Sequence, residues 1–160
     1  MRGIWALVLA ALVVMTPLGG GMAGAQAPQG EVAKRFFGAW RYVGTWIDGK
    51  PRPGRGANPK GMIYYDPSGA MAAQIAPDRR VALAGREPTP QEAKAALADY
   101  VAYFGTYTID ERAGTVTHHR RASVQPDDLT DYVRKYEFVG DRLILGPVGT
   151  KQEVVWERIE

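Results

Sequence analysis

Apolar residues recur at every second position in eight short segments of this chain, and the gaps between those segments alternate between tight and long. Period-two alternation belongs to half-buried strands, because successive side chains on a strand point to opposite faces. In 36–46 it sets Trp40, Tyr42 and Trp46 on one face and Arg41, Val43 and Thr45 on the other. Further strands are read at 62–65, 70–76, 106–109, 115–123, 131–139, 142–145 and 153–159. The gaps at 66–69, 110–114 and 140–141 are tight, and Asp66-Pro67-Ser68-Gly69 carries Pro and Gly where a hairpin turn wants them. Those at 47–61, 77–105, 124–130 and 146–152 are long. Successive connections of an up-and-down meander lie at opposite ends, so every long connection falls at one end and every tight turn at the other. Eight antiparallel strands are about the number that closes into a barrel around one small ligand, and closure removes exposed edges. The predicted fold is therefore all-β: an eight-stranded antiparallel up-and-down barrel. An open or two-layered sheet with a filled interior is the alternative.

One helix interrupts the strands. Thr89-Pro90-Gln91-Glu92 offers an N-cap hydroxyl, a proline at the first helical position and a glutamate at the third, which is a capping box. Ala93, Ala96, Leu97, Tyr100, Val101 and Phe104 then recur at helical spacing, and Gly105 can end the run. The pattern predicts a helix over about 90–104, between the third and fourth strands. Lying at the open end, it is expected to cover part of the mouth, with Tyr100, Tyr103 and Phe104 bordering the pocket.

The amino terminus reads as an address. Arg2 precedes an apolar run from Ile4 to Met15, and Ala23-Gly24-Ala25 forms a small-x-small site before Gln26. That is the layout of a secretory signal peptide over 1–25, leaving 26–160 as one domain. The run is too short to span a bilayer, so no integral membrane segment is expected after cleavage. The expected location is the periplasm of a Gram-negative bacterium, or otherwise the extracellular space. Cleavage would lower the formal net charge of +3 by one, too little to argue for nucleic acid. The basic residues Lys50, Arg52, Arg55, Lys60, Arg79, Arg80 and Arg86 lack interleaved aromatics and read as solvated loop charge. The absence of cysteine excludes disulfides, thiolate metal sites and cysteine nucleophiles.

Gly38-Ala39-Trp40 at the first strand resembles the Gly-x-Trp signature of lipocalins. With Asp48-Gly49-Lys50, Asn58-Pro59-Lys60-Gly61, Ile63-Tyr64-Tyr65, Tyr103-Phe104-Gly105-Thr106-Tyr107, Gly140-Asp141-Arg142-Leu143 and Trp156-Glu157-Arg158, the chain resembles the lipocalin-like domain family of bacteria and fungi over nearly all of 26–160. The resemblance implies the same barrel, with Trp40 packed beneath it against Arg158. It implies less about activity, since some lipocalin-like proteins act as cyclases or isomerases.

If Trp40, Tyr42 and Trp46 face inward, alternation also turns inward Val116, His118, Arg120 and Ala122, then Tyr132, Arg134, Tyr136 and Phe138, then Val154, Trp156 and Arg158. The candidate ligand-binding set is Tyr42, Tyr64, Gln74, Tyr107, His118, Arg134 and Tyr136. Aromatic walls with a guanidinium suit a small, mainly hydrophobic molecule bearing an acidic or carbonyl group. For His118 and Arg134 the alternative is an internally hydrogen-bonded role; for Arg120 it is a head in solvent. His118 and His119 point to opposite faces and cannot share a metal, and no cofactor motif is present. Ser68 and Ser123 lack a nucleophile-elbow context, and Asp127, Asp128 and Asp131 lack EF-hand spacing. Three functional readings follow. The first is ligand carriage. The second is a cofactor-free isomerase or cyclase using His118 as acid/base and Arg134 to polarise a carbonyl. The third is a scaffold acting on a partner through basic mouth loops. Oligomeric state is left open.

Overall fold

A computed structural model describes residues 28–80, 82–126 and 128–160. The leader read at 1–25 lies outside the described residues. The elements are α1 (Glu31–Phe36), β1 (Gly38–Ile47), β2 (Lys50–Pro51), β3 (Lys60–Tyr65), β4 (Ala70–Ala76), α2 (Pro90–Leu97), β5 (Val101–Asp110), β6 (Thr115–Ser123), β7 (Tyr132–Val139), β8 (Arg142–Pro147) and β9 (Gln152–Arg158). From β3 onward each strand pairs antiparallel with the next. β1 pairs with β3 on one side and with β9 on the other, from Trp40 opposite Arg158 to Ile47 opposite Gln152. The eight predicted strands thus close into a barrel. The two-residue β2, which was not foreseen, pairs with the end of β1 through Trp46 and Pro51.

The two ends differ as the connection lengths require. The tight β3–β4 turn is held by Asp66, whose carboxylate accepts from the Ser68 N–H at 2.8 Å and whose carbonyl accepts from the Gly69 N–H at 2.9 Å. The same end is plugged from below by α1. Phe36 is fully buried and meets Tyr65, Tyr136 and Phe138 edge-on at 5.2, 5.1 and 5.0 Å. Trp40 donates its indole N–H to the Phe36 carbonyl at 2.7 Å, and the Arg158 guanidinium lies 4.1 Å over the Trp40 ring. Arg158 also donates to the Phe37 carbonyl at 2.8 Å, which ties the last strand to the start of the first. Cation–π stacking of this kind contributes on the order of 1–2 kcal/mol when desolvated.

Two expectations need correction. The helix stops at Leu97, and Val101–Phe104 belong to β5, paired with Ile75–Ala72 of β4. Their apolar residues fit period two as well as period 3.6, and the ladder with β4 decides for the strand, after a reversal at Asp99 with φ 56°. The capping box itself forms, with Thr89 and Glu92 exchanging backbone hydrogen bonds. None of the helix residues is buried, and none lines the mouth cavity, so α2 is not a lid over the cavity.

Strand phase near the mouth also differs from the simple alternation expected. β1 carries a bulge between Tyr42 and Gly44, and β6 carries one between Arg120 and Ala122. Each inserts one extra residue and inverts the alternation beyond it. Thr45 therefore faces inward in place of Trp46, whose indole folds back over Gly44 on the outer face. Ser123 likewise faces inward in place of Ala122.

Candidate functional site

A cavity of about 310 Å³ opens at the end bearing the long connections. Ile63, Ala73, Ile75, Leu145, Val154 and Trp156 form its apolar wall, and four arginines enter it: Arg52, Arg55, Arg120 and Arg134.

Two of the four already have carboxylate partners. Arg120 grips Asp128 through two bonds of 2.5 and 2.6 Å and donates to the Thr130 carbonyl, leaving its side chain only 6% exposed. The expectation that its head reaches solvent is thus corrected. Arg52 pairs with Asp99 at 3.0 Å.

Arg55 and Arg134 have no carboxylate partner among the described residues. Arg134 projects from β7, is 8% exposed and stacks 3.7 Å over the Tyr132 ring, with Nε and Nη1 buried and unpartnered. Arg55, 9% exposed, donates to the hydroxyls of Tyr42 and Thr45 on β1 at 3.1 and 3.2 Å, while its Nε has no acceptor. Hydrogen bonds between its loop and Asp78 fix its position. Its carbonyl accepts from the Asp78 N–H, and the Asp78 carboxylate in turn caps the N–H groups of Ala57 and Asn58. Gly56, at φ 81°, leaves room for that carboxylate, which a Cβ would strike at 1.7 Å. These bonds hold the Asp78 carboxyl below its ordinary pKa, chiefly through the Asn58 N–H. Counting Arg52 Nη1 and Trp156 Nε1, five buried donors on four residues around this cavity find no acceptor among the described residues.

Beneath this layer His118 is fully buried, with Nε2 2.7 Å from the Tyr65 hydroxyl and Nδ1 2.9 Å from the Tyr103 hydroxyl. Burial, reinforced by Arg134 and Arg120, pushes its pKa well below the ordinary value, so the ring is neutral and has one N–H and one lone pair. Burial also raises the pKa of both tyrosines, which keeps them protonated. Among the described residues Tyr65 has no other hydrogen-bond partner, and a neutral ring accepts from one tyrosine and donates to the other. The Nδ1–H tautomer satisfies the Tyr65 hydroxyl and leaves the free hydroxyl proton on Tyr103, the residue of the two that lines the cavity.

Of the seven predicted ligand residues, only Arg134 lines the cavity. Tyr42 acts through Arg55, and His118 sits one layer below behind Tyr103. Tyr107, which donates to the Asp66 carbonyl at 3.0 Å, and Tyr136, packed on Phe36, belong to the closed end. Tyr64 and Gln74 are corrected to the outer face, because they alternate with the inward residues Ile63, Tyr65, Ala73 and Ile75. Gln74 and Phe104 border a shallow groove on the outer wall, floored by Ala72, Ala102 and Ala122. Arg55, Arg52 and Thr45 were not expected as site residues; Tyr103 borders the pocket as expected, but from strand β5 and not from a helix. The arginines sit in a Pro/Gly-rich loop with no periodicity, and Thr45 lies beyond a bulge.

A closed antiparallel barrel plugged at one end and hollow at the other is the architecture of small-ligand-binding barrels. The profile of the lipocalin-like domain matches residues 37–159, and the chain belongs to that family. Comparison with curated proteins and with solved structures gives no match. Among the described residues no helix is long and apolar enough to cross a membrane.

Proposed function

We propose that the protein is an exported barrel that binds a small organic acid in its mouth cavity, with the carboxylate on Arg134 and the apolar body against Ile63, Ile75, Leu145 and Trp156. The observation that carries this reading is the set of buried donors around one cavity that have no acceptor among the described residues. A buried N–H left unpaired costs about 1–3 kcal/mol, more when charged, so a pocket with several is complementary to a ligand rich in acceptors. The volume is at the lower end for small-molecule sites, which favours a compact ligand over a sterol or long acyl chain. Export rests on Arg2, the apolar run Ile4–Met15 and Ala23-Gly24-Ala25.

The Tyr65–His118–Tyr103 relay supports a second reading, proton transfer to a bound carbonyl. There Tyr103 would touch the ligand and His118 would act through it as a positioning residue. Native mass spectrometry of the protein from its own host, with titration of hexanoate by calorimetry, tests the first reading. A bound acid, or hexanoate binding lost in Arg134→Met, supports it. An empty protein that also ignores hexanoate would overturn it.

A further inference from the structure

Resting on that reading, the charge balance of the mouth specifies the ligand further. Arg52 and Arg120 are matched by Asp99 and Asp128, whereas Arg55 and Arg134 are more than nine-tenths buried and unmatched among the described residues. Both have a buried Nε–H without an acceptor among the described residues, and both line the same cavity. A ligand with a single carboxylate would satisfy one guanidinium and leave the other buried and uncompensated, which is the costly arrangement for any desolvated charge.

The two cations also approach from different walls. Arg55 is seated on Tyr42 and Thr45 of β1, while Arg134 springs from β7. Around the barrel these strands are separated by β8 and β9 on one side and by β3 to β6 on the other. Trp156 of β9, between them, lines the same cavity and carries a further buried N–H without an acceptor among the described residues. Two separated carboxylates match this arrangement better than one compact dianion.

We propose that the cavity is a dicarboxylate site, in which Arg134 and Arg55 each hold one carboxylate of a short diacid whose hydrocarbon link lies on the apolar wall.

Calorimetry of the purified protein with hexanoate, adipate and inorganic phosphate tests this. A second charge-assisted pairing predicts adipate binding tighter than hexanoate by about ten- to hundredfold. Arg55→Met should bring that ratio close to one, while Arg121→Gln, on the outer face of β6, should leave it unchanged. In ¹⁵N spectra of the unaltered protein, adipate should shift the Nε–H resonances of both Arg55 and Arg134, which keeps the test independent of how Arg55→Met folds. Hexanoate binding as tightly as adipate would overturn the dicarboxylate proposal and leave the single-acid reading standing. Phosphate binding as tightly as adipate would overturn the two-subsite geometry. Failure of both organic acids to bind would overturn the acid-binding reading itself.

Discussion

His118 is neutral because the fold offers it nothing else. Its two nitrogens face tyrosine hydroxyls, two arginines stand nearby, and water is excluded. The consequence for stability has a definite sign. Protonating the ring is easy in the unfolded chain below a pKa of about 6.5 and difficult in the folded one, so the unfolded state gains protons first as pH falls. Stability is fully present above that unfolded value and declines below it, by at most about 1.4 kcal/mol per pH unit, until the folded ring titrates. Urea unfolding at pH 7.0 and 5.0 should show this decline, and His118→Gln should flatten it. The ¹⁵N shifts of the native ring should report the Nδ1–H tautomer at both pH values; an Nε2–H tautomer would remove the relay that leaves the Tyr103 proton facing the cavity. The inward position of His118 was legible from alternation alone. Its neutrality was not, because that depends on Tyr65 and Tyr103, which are distant in sequence and adjacent only after the barrel closes.

At the scale of elements, the bulges explain which parts of the site could be read in advance. Below them, on β6, β7 and β9, alternation correctly turned Val116, His118, Arg134 and Trp156 inward. Above them the phase inverts on β1 and β6, so Trp46 and Ala122 were misplaced and Thr45 and Ser123 took their places. The bulge on β6 lies opposite Gly105, and a Cβ there would stand 2.0 Å from the His119 carbonyl oxygen. That contact is backbone, so strands β5 and β6 would have to part. Gly105→Ala should therefore destabilise by about 3 kcal/mol, at the upper end for overpacking, as measured by chemical denaturation. Helix α2 predicts the opposite behaviour. Its N-cap bond is real but the helix buries nothing, so Thr89→Ala should speed amide exchange in 90–97 while moving the global midpoint little. The helix boundary at Leu97 was not legible, since Val101, Tyr103 and Phe104 suit either period until β4 supplies a ladder.

For the whole molecule, the barrel divides its duties between its ends. The closed end is apolar and aromatic, with Phe36, Trp40, Tyr65 and Phe138 packed together, β1 entered from α1, and β3–β4, β5–β6 and β7–β8 joined by tight turns. The mouth gathers cations that the fold does not fully neutralise. Uncompensated buried charge lowers the stability of a ligand-free protein, and a ligand that supplies the missing acceptors returns that stability. Arg134→Met keeps much of the side-chain volume against Tyr132 while removing the unpaired guanidinium. The ligand-free variant should be more stable than the parent by about 1–2 kcal/mol, a gain of a few degrees in Tm for a domain of this size. It should also lose the rise in Tm that adipate gives the parent. Both shifts are read in one thermal-unfolding experiment with and without the acid. A variant that is less stable when empty would mean that Arg134 is held by the fold for its own sake, while one that is more stable and no longer responds to acid would identify the mouth as a site maintained for its ligand at the expense of the barrel.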